Sequence, residues 1–292
     1  MKYMKKKILE IIKKKTFLLY KVIIVTSGLL KFLNKINQKK RYENFSSNLD
    51  NINKKEYRIT SQNNEDGIIN FIFSELQLDK LNFVEIGFDF YQNNSLSLLK
   101  NSKKGLFIDG DEKKVLILKN IVKILYPRKN LIVQNHLVDV DSINNLIKQN
   151  FEASDEVDFL SIDVDGMDYY LFEGIDFSPK LICIEYNFWF GKNLKCVAPY
   201  KKNYKVESLS EYVGSSLRAL IELAKLKGYH LVALESACVN AFFIRDDLKH
   251  KFDILDINKS FKEPIKFNKQ VINQVQKKLI AKELFYLDEK TE

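Results

Sequence analysis

The chain has 292 residues, 46% of them apolar and 29% charged, which excludes global disorder, a collagen-like repeat and a polytopic membrane fold. Cys183, Cys196 and Cys238 are far apart with no CxxC pair, and there are only three histidines, which speaks against a disulfide framework, a structural zinc site and a multi-histidine metal centre. The net charge of +9 is unevenly placed: residues 1–41 hold 13 lysines and arginines against the single acid Glu10, and the remaining residues carry a net −3. A nucleic-acid-binding body spreads basic residues over its surface, so no nucleic-acid partner is expected.

Residues 1–45 form the first unit. Ile8, Ile11, Ile12, Leu18, Leu19, Val22, Ile23, Leu29, Leu30, Leu33 and Ile36 recur at helical spacing, and Lys7, Lys14, Lys21 and Lys35 fall seven apart on the opposite stripe. Gly28 weakens the helix locally. A basic amphipathic helix of this kind lies in a membrane interface, so residues 1–41 are expected to meet an anionic membrane surface. This makes the chain cytoplasmic and peripheral at the inner face of the membrane. Three alternatives compete. A span over 16–34 is interrupted by Lys21 and Lys31, and a signal peptide over 17–25 is broken by Lys21 and lacks an A-x-A site. The third is a helix docked on its own core or on a partner.

Residues 46–252 form the main domain. Short apolar runs at 82–88, 104–109, 131–133, 157–163 and 181–185 alternate with helix-length stretches at 94–101, 112–125, 141–150 and 167–174. That alternation predicts a parallel sheet wrapped by helices on both faces, with the carboxyl ends of the strands on one edge. A helix over 217–227, capped by Ser215-Ser216 and closed by Gly228, precedes strands at 229–234 and 241–244. The six residues between those strands are too few for a crossover helix, so they predict an antiparallel hairpin. The fold class is thus α/β: a Rossmann-like parallel sheet with a C-terminal antiparallel hairpin, plus N- and C-terminal helical extensions. Residues 253–292 read as a helical tail, patterned from Val271 to Leu287.

Chemistry in such a sheet sits where strands end. Here the ends are acidic: Glu85-x-Gly87, Asp109-Gly110-Asp111, Asp163-x-Asp165-Gly166 and Glu185-x-Asn187. Buried carboxylates are costly unless paired, so such acids face solvent or a ligand; Asp111 and Asp165 have the alternative of capping the next helix. A glycine after the first strand and an acid after the second suit an adenosine-bearing cofactor, while G-x-G-x-x-G and Walker motifs are absent. His136, near the third strand, is a weaker candidate base, more often structural than catalytic.

The order Ser61-Gln-Asn-Asn-Glu65-Asp66-Gly67, Phe83-Val-Glu-Ile-Gly87, Asn94-Ser95, Gly105-Leu-Phe-Ile-Asp109-Gly110 resembles the FkbM family of S-adenosylmethionine-dependent methyltransferases. Ser161-Ile-Asp-Val-Asp165-Gly166-Met-Asp168-Tyr169, Ile184-Glu185-Tyr-Asn187, Gly214-Ser-Ser-Leu217, Lys227-Gly-Tyr229 and Asn240-Ala-Phe-Phe243 continue the resemblance, which covers about residues 58–248. It implies S-adenosyl-L-methionine as cofactor and O-methylation of a sugar hydroxyl on a glycan, glycolipid or secondary metabolite. By the same resemblance Glu85, Gly87, Asn94, Asp109 and Asp163 bind the cofactor, and Gln62, Glu65 and Asp66 lie in a segment that closes over the pocket. The family's first motif usually carries a second glycine four residues after Gly87, and Phe88-Asp-Phe-Tyr91 has none. That departure keeps open a non-catalytic glycan- or partner-binding module at a membrane surface.

For catalysis Asp165 is the first candidate general base, beside Asp163. Asp163, Asp165, Glu185 and Asn187 are also hard oxygen donors, so a divalent cation is a weaker alternative; no metal is expected. Tyr186-Asn-Phe-Trp-Phe190 with Pro199-Tyr200 and the basic run 201–205 suggests an acceptor platform of Glu185, Asn187, Trp189 and Tyr200, with a loop covering the sheet edge as the alternative.

Overall fold

The computed structural model describes residues 19–34, 51–202, 214–263, 269–280 and 285–286. The boundary near residue 45 and most of the basic run 201–205 lie outside them. Seven strands form the main sheet: β1 (Leu81–Ile86), β2 (Ser102–Asp109), β3 (Asn130–Asn135), β4 (Phe159–Ile162), β5 (Leu181–Glu185), β7 (Tyr229–Leu234) and β8 (Asn240–Arg245). Their order is β3-β2-β1-β4-β5-β8-β7. The first five are parallel, while β8 runs antiparallel to both β5 and β7. The expected α/β architecture and terminal hairpin are therefore present, with the last strand inserted between β5 and β7. The short strand β6 (Cys196–Val197) pairs outside this sheet with β9 (Phe285–Tyr286).

Both sheet faces are buried because alternate residues on nearly every strand are apolar. Val84, Ile86, Leu106, Ile108, Leu160, Ile162, Ile182 and Ile184 face one core. Against it pack α4 (Ile143–Asn150), α5 (Asp168–Gly174) and α6 (Leu217–Leu226). Phe83, Phe107, Phe159 and Cys183 face the other. There α2 (Glu65–Glu75) and α3 (Glu112–Leu125) supply Ile68, Ile72, Leu118 and Ile121. The N-terminal helix α1 (residues 19–34) adds Phe32 to this second core.

Three expected elements differ. The stretch 94–101 yields only a 3-10 turn, Leu96–Leu98. Asn93 Oδ1 accepts from the Ser95 and Leu96 N–H groups, and Asn94 and Ser95 turn their side chains inward, so side-chain bonds displace the helical ladder. Residues 65–67 form the first turn of the buried helix α2. Helix α7 (Ile257–Ser260) opens the C-terminal segment, and α8 (Lys269–Ile280) ends before Leu287 because Phe285 and Tyr286 pair with β6. The helix covers Phe190 and Cys196 with Val275, so the tail is fastened to the body.

Candidate active site at the carboxyl edge of the sheet

Strand order reverses at β1, which lies between β2 and β4. Ligands of open α/β sheets bind in the crevice at such a switch point. Register fixes what stands there. Ile86 pairs with Ile108 and with Ile162, and Ile162 pairs with Ile184. The next residue on each chain is Gly87, Asp109, Asp163 or Glu185, so these four form one row across the edge. A crevice of about 450 Å³ opens over three of them, Gly87, Asp109 and Asp163. Its walls include Gly87, Asp109, Lys114, Asp139, Asp163, Asp165 and Tyr200.

Gly87 is demanded by the junction itself. Its φ is +75°, and a Cβ there would come 1.7 Å from the backbone oxygen of Asp163. The glycine therefore lets β1 and β4 end side by side, which is a stricter need than approach of a ligand.

Asp109 is held by its own neighbours. Its Oδ1 accepts from the Asp111 N–H at 2.6 Å and its Oδ2 from the Phe88 N–H at 3.0 Å, with Lys114 Nζ 3.6 Å from Oδ2. A carboxylate offers about four acceptor positions, two per oxygen. Two backbone bonds thus fix the carboxylate and leave room for two further hydroxyl donors. Asp111 takes the capping role, accepting from the Lys113 and Lys114 N–H groups at the start of α3.

Asp165 does not cap. The residue before α5 is Met167, with no side-chain cap, and Asp168 organises the turn by accepting from the Val164 and Gly166 N–H groups, both at 2.9 Å. Asp165 itself sits at φ +55°, exposed in the crevice. Asp and Asn tolerate that left-handed conformation better than other residues with a Cβ, and it often marks a functional turn.

Asp163, Asp165 and Glu185 bring carboxylate oxygens within 4.8 Å of one another. Burial first, and then the like charges of Asp168, Asp165 and Glu85, push the Asp163 carboxyl well above its ordinary range. Burial and the same aspartates raise Glu185 in the same way, and burial raises Asp165. Among the described residues neither Asp163 nor Glu185 accepts a hydrogen bond or meets a cation. Such a cluster is complementary to a cation: an ammonium, a sulfonium or a metal ion.

Several expected site residues are placed elsewhere. Register sets Glu85 two positions inside the edge, opposite Phe107 and Ser161. Its carboxylate accepts from the Asn94 N–H and the Ser95 hydroxyl, and burial raises its pKa to about 8. Asn94 is buried, with Nδ2 donating to Ser161 Oγ at 3.1 Å. Glu85 and Asn94 therefore brace the loop after β1 and do not line the crevice. Asp66 is fully buried and accepts from the Ile59, Thr60 and Ser61 N–H groups, closing a turn, while Gln62 is exposed away from the walls. Glu65 is also buried, bonded to Asn63 and Asn240. Asn187 caps a 3-10 turn by accepting from the Trp189 N–H at 3.0 Å, and Trp189 packs in the cluster with Phe190 and Val275. The platform thus reduces in the crevice wall to Tyr200, whose ring meets Tyr170 edge-on at 5.2 Å; Glu185 is not among the wall residues. His136 reaches the crevice wall. Lys201, from the basic run expected beside Tyr200, also lies in the wall, whereas Lys114 and Asp139 were not expected there. Lys114 had a legible signal, since it stands three residues beyond the cap Asp111 and so returns to the same end of α3.

Phe90 and Tyr91 do not fill the crevice. Their rings meet edge-on at 4.9 Å and pack on the second core beside α1, where Lys31 Nζ lies 5.9 Å from the Tyr91 ring.

No protein-family model matches the chain, and no curated protein matches it. Solved structures do align. The N-terminal domain of EvdMO1 with SAH bound is 11% identical over 63% of this chain and 80% of that one, with a TM-score of 0.43. A S-adenosylmethionine-dependent methyltransferase from Clostridium acetobutylicum is 9% identical over 62% and 90%, with a TM-score of 0.39. Magnesium protoporphyrin IX methyltransferase from Synechocystis PCC 6803 with bound SAH is 10% identical over 62% and 81%, with a TM-score of 0.40. These likenesses concern the path of the chain alone and do not establish the FkbM family; the chemistry rests on the residues of the crevice.

Proposed function

We propose that the chain is an S-adenosylmethionine-dependent O-methyltransferase acting on a sugar hydroxyl of a glycan, glycolipid or secondary metabolite, in the manner of the FkbM family. The observation that carries this reading is the carboxyl row. Asp109 presents a fixed carboxylate with acceptor positions to spare, and two and three strands away Asp163 and Glu185 form an acidic pair that meets no lysine or arginine among the described residues. A ligand with a diol at one end and positive charge at the other satisfies both, and S-adenosylmethionine has that form.

When bound, this cofactor supplies an activated methyl carbon, which leaves alignment and proton removal to the protein. Asp109 holds the ribose hydroxyls. Asp163 and Glu185 hold the cationic end. Asp165, in the crevice wall with its carboxylate within 4.8 Å of those of Asp163 and Glu185, takes the acceptor hydroxyl proton on a carboxylate oxygen. Tyr200 offers its ring to the acceptor, since aromatic faces stack on sugars.

A second reading, a non-catalytic binding module, is favoured by one observation: the Phe88 N–H already occupies one position on Asp109 Oδ2. The two readings separate in a transfer assay. With methyl-labelled cofactor and cell-extract glycans, wild-type protein should label a glycan fraction. Asp165→Asn should cut transfer by about 10²-fold or more while keeping cofactor affinity within about threefold. Cofactor binding without any transfer leaves the module reading in place.

A further inference from the structure

Helix α1 carries two apolar faces. Ile24, Leu29 and Leu33 are half-buried on the second core, and Phe32 is fully buried. Gly28 sets the fit, because a Cβ there would come 2.3 Å from Ile117 Cγ2 on α3. This face is docked, as one of the sequence alternatives held. The other face is not. Leu19, Val22, Ile23 and Leu30 are 60%, 54%, 58% and 57% exposed, and they share one stripe with Thr26 and Ser27. A helix satisfied by its own core has no need of a second apolar stripe, and a contiguous exposed patch of this kind marks an interaction surface.

Charge selects the partner. Residues 1–41 carry 13 positive charges and one negative, and Lys31 is exposed on α1 itself. Two copies meeting through this face would bring two strongly cationic segments together, which self-repulsion opposes. An anionic surface is attracted by both the stripe and the charge. No helix among the described residues is long and apolar enough to cross a membrane.

We propose that the outer face of α1, through Leu19, Val22, Ile23 and Leu30, seats in the head-group boundary of an anionic lipid bilayer while the inner face stays docked on α3. This surface does not depend on the methyltransferase reading. Ile117, which receives Gly28, is three residues from Lys114 in the crevice wall, so the lipid-facing helix and the crevice belong to neighbouring parts of the molecule.

The test is sedimentation of the full chain with phosphatidylcholine vesicles, with and without phosphatidylglycerol, at low and high salt. Wild-type protein should bind the anionic vesicles at least about tenfold more tightly than the neutral ones, and high salt should weaken that binding. The exposed-face variant Val22→Asp/Ile23→Asp should lose about tenfold or more while keeping the wild-type thermal midpoint. The inner-face variant Gly28→Leu separates docking from lipid binding, because it perturbs the seat on Ile117 and leaves the outer stripe intact. Equal binding to both vesicle types, or full binding by the Asp variant, overturns the proposal. So does wild-type protein that ignores vesicles and forms a dimer in solution that Val22→Asp/Ile23→Asp converts to monomer.

Discussion

Asp168, Glu85 and Glu235 are buried carboxyls whose burial raises their pKa, to about 6, 8 and 8. Each is satisfied by neutral donors; Glu235, for instance, accepts from the Ala237, Val239 and Asn240 N–H groups. A carboxyl with a folded pKa above its unfolded value binds more protons in the folded state. Its contribution is then fully present below the unfolded pKa and is lost as pH rises through the folded one. The thermal midpoint should therefore fall between about pH 5 and pH 8, by an amount on the order of a few kcal/mol of stability in total. Glu85→Gln should flatten that fall, as heat denaturation across pH would show; a midpoint rising over the same range contradicts the assignment. The raised Asp163 and Glu185 carboxyls add a binding counterpart. A cationic ligand favours their ionised forms, so its binding releases protons and tightens as pH rises. Calorimetry in buffers of different ionisation enthalpy reads that release directly.

At the scale of elements, the glycines at helix and strand junctions set the sharpest limits. Gly87→Ala would place a Cβ 1.7 Å from Asp163 O at a φ of +75°, and should destabilise the fold by about 2 kcal/mol or more. Ser216→Ala removes the acceptor for the Ala219 N–H and should cost about 1 kcal/mol, readable by urea denaturation. These elements were legible in the sequence. Helix α3 spans 112–125 as its period required, and Ser216 and Gly228 bound α6 as expected. Hidden instead were the elements that non-local partners decide. Glu65 and Asp66 look like exposed loop acids, yet Asn240 and the turn 59–61 draw them into the core as the first turn of α2. Phe285 and Tyr286 continue a helical pattern but find an edge at β6. Only register shows that Glu85 lies inside the row and Asp109, Asp163 and Glu185 on it. Counting from the strand's last apolar residue would have made that distinction.

For the whole molecule, the acidic row, the outward loop at Phe90 and Tyr91, and the docked helix α1 form one connected edge. The loop that carries Phe90 and Tyr91 is the one that α1 covers. The crevice beside it remains open. The most direct test is calorimetric titration of the full chain with S-adenosylmethionine and S-adenosylhomocysteine, with Asp109→Ala and Asp163→Asn as controls. The account predicts binding of both ligands that falls by about tenfold or more in Asp109→Ala. It also predicts that Asp163→Asn weakens binding, since it removes one carboxylate from the pair that meets the cationic end. Wild-type protein that binds neither ligand, or binding indifferent to both substitutions, would contradict the assignment of the carboxyl row as a cofactor site.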